Sequence, residues 1–96
     1  MTRIYSILIL LISLGLVPAL QAQTTTSGKI RFGDLERTYR MYIPQSYKAV
    51  DPVPLMFNLH GDNSDGVLQE IFSEMNMVAD TAGFLVVYPD AYEGSW

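Results

Sequence analysis

The single histidine of the 96-residue chain, His60, follows an apolar run, Leu55-Met56-Phe57-Asn58-Leu59, and precedes Gly61-Asp62-Asn63-Ser64-Asp65-Gly66. A polar loop that leaves a buried strand and opens a helix can present backbone N–H groups to an anion, because the first amides of a helix have no partner of their own. Gly61 lets the backbone approach a ligand closely, and the amides of Asp62 and Asn63 then face the space beyond the strand end. Fixed donors of this kind stabilise the oxyanion of acyl transfer, and losing one costs about 10²–10³ in rate. Read alone, His60 is more readily a hydrogen-bonded structural histidine than a general base. Asp62, Asn63 and Asp65 invite a calcium reading, which the spacing defeats. With Gly66 at the glycine position of a calcium loop, the first and last ligand positions fall on Gly61 and Phe72. Absence of cysteine removes a disulfide framework and a thiolate zinc site, and no metal or cofactor is expected.

The elements that must position this loop follow from hydrophobic periodicity. Lys29-Ile30-Arg31-Phe32 alternates charged and apolar residues, Gly33-Asp34 makes a turn, and Glu36 to Ile43 is rich in aromatic and β-branched residues, ending at Pro44. The pattern predicts an antiparallel hairpin with Tyr39, Met41 and Ile43 on its apolar face. Leu55–Leu59 and Phe84-Leu85-Val86-Val87-Tyr88 are nearly continuous apolar runs, as expected of strands covered on both faces of a parallel sheet. Between them Val67, Leu68, Ile71, Phe72, Met75, Val78, Ala79 and Ala82 recur at helical spacing, with Ser64 or Asp65 as cap and Gly83 as terminator. Ser73 is a second cap candidate, which divides the helix in two. Strand, helix and strand make a right-handed βαβ unit, so the fold class is α/β. On this reading Tyr39, Met75 and Met77 serve packing rather than sugar or cofactor binding, whereas Trp96 is an aromatic surface able to stack on a substrate.

Met1 to Ala22 carries a positive residue, Arg3, an apolar stretch from Ile7 to Val17, the breaker Pro18, and Ala19-Leu20-Gln21-Ala22 at a processing site. This is the pattern of a secretory signal peptide, and the stretch falls short of the roughly 20 apolar residues of a comfortable membrane span. Residues 23–28 then read as a polar tether and 29–96 as the folded part. The expected location is outside the cytoplasm, in a periplasm or the surroundings, with no membrane partner once the leader is removed. A net charge of −4 argues against nucleic acid, whose binding needs clustered Lys and Arg.

Taken in order, Arg40-Met41-Tyr42-Ile43-Pro44, Pro54-Leu55-Met56-Phe57-Asn58-Leu59-His60-Gly61 and Ala79-Asp80-Thr81-Ala82-Gly83-Phe84-Leu85-Val86-Val87-Tyr88-Pro89-Asp90 closely resemble the N-terminal part of secreted α/β-hydrolases. The family resembled is that of feruloyl esterases and polyhydroxybutyrate depolymerases, and the likeness covers about Lys29 to Trp96. It implies the β1–β2 hairpin, β3, αA and β4 of an α/β-hydrolase sheet, incomplete as given. It implies that His60-Gly61 is the loop after β3 and that the backbone N–H of Asp62 is an oxyanion donor, supported by His60 and Gly61. Asp62 departs from the small residue or cysteine often found there, but the donor is main chain and the role survives. Asn63, Asp90 and Trp96 are the residues that would line the substrate, Asp90 with a structural role as the alternative.

A hydrolase of this fold needs Gly-x-Ser-x-Gly, then an acid, then His, in that chain order. In Gly61-Asp62-Asn63-Ser64-Asp65-Gly66 two residues separate Gly61 from Ser64, Gly94-Ser95-Trp96 has the wrong spacing, and His60 precedes Ser64 and Ser95. No catalytic nucleophile, acid or base is therefore assigned, and the 96 residues by themselves are expected to be inactive. The expectation is the leading portion of an exported serine carboxylic-ester hydrolase acting on feruloyl or acetyl esters of plant polysaccharide, or on polyester. Its partner would be that substrate together with the remaining part of its own domain. The competing expectation is a small exported binding or structural protein that keeps only the β1–β4 segment.

Overall fold

The computed structural model describes residues 24–96. The signal-peptide reading of residues 1–22 lies outside the described residues. Strands β1 (Thr24–Phe32) and β2 (Leu35–Ile43) form a hairpin, and β3 (Leu55–Phe57) leads through helices α1 (Gly66–Ser73) and α2 (Met75–Ala82) to β4 (Leu85–Pro89). A single 3-10 turn, Tyr92–Gly94, follows β4. The sheet order is β1-β2-β4-β3, with β1/β2 and β2/β4 antiparallel and β3/β4 parallel. This is the α/β arrangement expected from the sequence, with the βαβ unit at one side of the sheet.

Residues 24–28 are a correction. They form the first half of β1, Thr24 opposite Ile43 and Gly28 opposite Tyr39, rather than a tether. β2 is long, and its outer backbone groups need partners as far as Ile43; the β-branched threonines supply them without needing a buried side chain. The Tyr39 ring lies across Gly28, where a Cβ would stand 2.2 Å from its Cζ, so a side chain at that position would displace the ring.

Local signals set the helix ends. The Asp65 carboxylate accepts the Leu68 N–H at 2.9 Å and caps α1. The predicted division near Ser73 occurs at Glu74, whose φ of 52° breaks the helix, and Ser73 Oγ accepts the Met75 N–H at 3.4 Å. Gly83, at φ 78°, ends α2 with its N–H on the Ala79 carbonyl.

The packing runs against the expected faces. Tyr42, Ala79, Val86 and Tyr88 form the buried cluster, with Met75 and Phe84 against it. Tyr42 therefore points toward the helices, and Tyr39, Met41 and Ile43, the predicted apolar face, lie half-buried on the opposite side. The helical stripe is displaced as well: Ile71 and Phe72 are 62% and 75% exposed, and only Met75 and Ala79 of the stripe join the core. The reason lies in the sheet face, which carries polar tips. Arg40 meets Glu70 (Nε to Oε1, 3.0 Å), whose other oxygen accepts Thr25 Oγ1 (2.7 Å) and Asn76 Nδ2 (3.0 Å). Tyr88 donates to Asn76 (2.6 Å), Tyr42 to Asp80 (2.5 Å), Asn58 to Ser73 (2.9 Å), and Gln69 to Asn58 (2.8 Å). Gln69, Ser73, Asn76 and Asp80 recur at helical spacing, so a polar stripe of the helices meets the sheet. Burial, then the Asp80 hydrogen bond and charge, push the Tyr42 phenol up, so it stays a neutral donor.

Burial acts to raise the Glu70 carboxyl, but hydrogen bonds from Asn76, Thr25 and Arg40, with the arginine charge, outweigh it and hold Glu70 below its ordinary value. The contribution of ionised Glu70 to stability is thus complete above the unfolded-state value of about 4.3 and disappears as pH falls through the lower folded-state value. Unfolding midpoints of the chain and its Glu70→Gln variant should therefore differ most at neutral pH and converge in acid. A difference independent of pH would sink this assignment.

Candidate functional site

Because β3 and β4 run parallel, the loop after β3 and the segment after β4 emerge side by side at the carboxyl end of the sheet, where ligands of open α/β folds bind. The Asn58 N–H still pairs with the Val87 carbonyl at 2.8 Å, so the chain leaves the ladder just before His60. His60 is 3% exposed. Its Nε2 accepts the Ala91 N–H at 3.0 Å, which requires a bare lone pair there, so the proton sits on Nδ1 and is donated to the Gly61 carbonyl at 2.6 Å. Both ring nitrogens are committed. Of the two alternatives in the sequence, the structural histidine matches this geometry, since no ring position is left to take a proton from a hydroxyl.

Asp62 and Asn63 behave differently. The Asn63 N–H is donated to the Gly94 carbonyl at 2.9 Å and is not open to a ligand, which corrects the expectation of two adjacent donors. Asn63 sits at φ 55°, a left-handed conformation that asparagine tolerates better than most residues. The Asp62 N–H has no acceptor among the described residues, and the space where a Gly61 side chain would stand is empty within 4 Å. The Asp62 carboxylate accepts the Ser95 hydroxyl. Of the two loop amides, that of Asp62 alone is without an acceptor among the described residues.

Trp96 donates its indole N–H to the His60 carbonyl at 2.8 Å, and the two rings lie 4.9 Å apart, tilted by 34°. Trp96 as a whole residue is 59% exposed. Asp90 is fully engaged: one carboxylate oxygen accepts Thr38 Oγ1 at 2.6 Å, the other the Gly66 N–H at 2.7 Å, and its own N–H bonds the Thr38 carbonyl at 3.0 Å. It ties α1 to β2 rather than presenting a free oxygen. Ser64 and Ser95 make no contact with the His60 ring, whose partners are Gly61 and Ala91, so no Ser–His pair exists among the described residues. A cavity of about 290 Å³ over the hairpin is lined by Lys29, Thr38, Tyr39, Arg40, Val67 and Asp90 among others and does not reach His60 to Asn63. Sequence reasoning missed Ala91, Gly94 and Ser95 as partners of the loop. The available signal was Tyr88-Pro89-Asp90, which marks the end of a strand parallel to β3 and so places whatever follows beside His60.

No protein-family profile matches the chain, and no curated protein matches it. Solved structures do. FphF, a fluorophosphonate-binding serine hydrolase of Staphylococcus aureus in a substrate-bound form, matches with a TM-score of 0.60 at 17% identity, over 72% of this chain and 30% of its own. S-formylglutathione hydrolase FrmB of Staphylococcus aureus, as apoenzyme, matches with a TM-score of 0.60 at 17% identity, over 79% of this chain and 37% of its own. The chain spans about a third of the length of these proteins. At such identity the likeness is one of fold, and the four-stranded mixed sheet with its helices has the fold of part of an α/β-hydrolase.

Proposed function

We propose that the chain supplies the oxyanion loop of an exported serine carboxylic-ester hydrolase whose nucleophile, acid and base come from sequence outside these 96 residues. The observation that carries this reading is the Asp62 N–H, without an acceptor among the described residues, at the carboxyl end of parallel strands β3 and β4 and next to a His60 whose ring is hydrogen-bonded at both nitrogens. Serine attack on an ester carbonyl turns its oxygen into an oxyanion, and the Asp62 N–H stabilises that charge. The alcohol then leaves with a proton from the catalytic histidine, and water releases the acid from the acyl-serine. In this segment His60 aims the loop, Ser95 holds the Asp62 carboxylate, and Asp90 fixes the helix start. The substrate class, feruloyl or acetyl esters of polysaccharide or a polyester, is supported by the motif order from Arg40 to Asp90, and export by the pattern of Met1 to Ala22.

Reading the gene beyond the Trp96 codon is the direct test, with a Gly-x-Ser-x-Gly codon run within some tens of residues as the expected result. The 96-residue chain should neither hydrolyse methyl ferulate nor be labelled by a fluorophosphonate. Turnover by that chain, abolished by Ser64→Ala, would overturn the proposal, as would a stop codon directly after Trp96.

A further inference from the structure

We infer that the segment Ala91–Trp96 aims the Asp62 amide, and that Trp96 is a positioning residue acting through His60. The inference rests on the reading of Asp62 as the oxyanion donor only for its consequence, not for its geometry. In a trans peptide the carbonyl and the N–H point in opposite directions. The Gly61 carbonyl is held by the His60 Nδ1–H, so the Asp62 N–H of the same peptide points away from the His60 ring. Whatever fixes that ring therefore fixes the donor. The ring is held at Nε2 by the Ala91 N–H, and the His60 backbone is held at its carbonyl by the Trp96 indole, which also lies against the imidazole.

Two further contacts come from the same segment. The Gly94 carbonyl takes the Asn63 N–H, and the Ser95 hydroxyl engages the Asp62 carboxylate. Across this contact Asn63 and Glu93 both adopt left-handed backbone, at φ 55° and 52°. A Cβ on Gly94 would lie 3.5 Å from the Asn63 Cα, an ordinary contact, but the Gly94 φ of 83° is one that side chains rarely adopt. Residues 60–63 have one hydrogen bond among themselves, His60 to Gly61, and four from residues 91–96. The orientation of the loop is thus set largely from β4's side of the sheet. A residue bound to neither substrate nor nucleophile controls whether the donor is preformed.

The test uses the ¹⁵N-labelled full chain and two variants. Trp96→Phe keeps an aromatic ring and removes the indole donor. Ala91→Pro removes the N–H on Nε2 at a position whose φ of −70° already suits proline. In the parent chain the His60 ring nitrogens should show a protonated Nδ1 and a bare Nε2. In both variants that pattern should shift toward a mixture of tautomers, and exchange of the Asn63 amide should accelerate by about tenfold or more while the amides of β2 and β4 keep their protection. An unchanged His60 pattern and Asn63 exchange in both variants would overturn the inference. So would an equal loss of protection across the sheet, because that reports general destabilisation rather than aiming of the loop. A loop that responds as described in a protein that never cleaves an ester leaves the positioning role standing and removes the hydrolase reading.

Discussion

Asp62→Pro, introduced into an ester-hydrolysing polypeptide that contains this segment, should lower kcat by about 10²–10³ with little change in KM. Proline removes one N–H and no side-chain function on which the chemistry depends. On the proposed reading the charge this N–H meets develops only after attack, so its loss would be felt in the transition state more than in the bound ester. Asp62→Ala is the matching control. It keeps the N–H and removes the carboxylate held by Ser95, so any loss of kcat should fall well short of that in the proline variant. Far-ultraviolet dichroism and a melting curve separate a lost donor from a disturbed loop. Equal kcat for the proline variant and its parent would show that the oxyanion is held elsewhere.

Asp90→Ala should lower the stability of the segment by about 3 kcal/mol, read as a lower urea midpoint at unchanged slope. The carboxylate makes two charge-assisted bonds, to the Gly66 N–H and the Thr38 hydroxyl, and each such bond contributes about 1.5–3 kcal/mol without being fully additive. Alanine leaves the first amide of α1 and the threonine without partners in a part-buried joint. The joint cannot close up to compensate, since a Cβ on Gly66 would already lie 2.6 Å from the Tyr88 carbonyl, and the backbones are in contact. Asp90→Asn should fall between the two, because one oxygen remains to accept while the amide nitrogen faces a donor. A loss below about 0.5 kcal/mol for the alanine variant, the range of ordinary surface positions, would mean the clamp has no structural weight.

Much of the frame was legible because it rests on local rules. The turn at Gly33-Asp34, the Asp65 cap, the break beside Ser73 and the left-handed Gly83 all follow from backbone preferences a few residues long. Thr24 to Gly28 was hidden because polar, non-alternating residues carry no burial signal; only the length of β2 recruits them. The inward face of the helices was misread for a related reason. Periodicity finds the apolar stripe, but the partner surface decides which stripe goes in, and here it presents Arg40, Asn58, Tyr42 and Tyr88. At the loop, the exit of the chain from β3 ahead of His60-Gly61-Asp62 was readable from the apolar run before it. The loss of the Asn63 amide to Gly94 was not, because that contact joins residues distant in sequence and needs two left-handed residues to meet.

The seam between helices and sheet has a consequence for how firmly the helices are indexed. Oily surfaces slide over one another at small cost, whereas hydrogen bonds work only within narrow limits of distance and angle. A shift of one residue along α1 or α2 rotates every side chain by about 100° about the helix axis. Such a shift would release Glu70 from Arg40, Asn76 from Tyr88 and Asp80 from Tyr42 together. The helices are therefore keyed like teeth in a rack, and the cap at Asp65, with the loop that ends there, inherits its placement from that engagement.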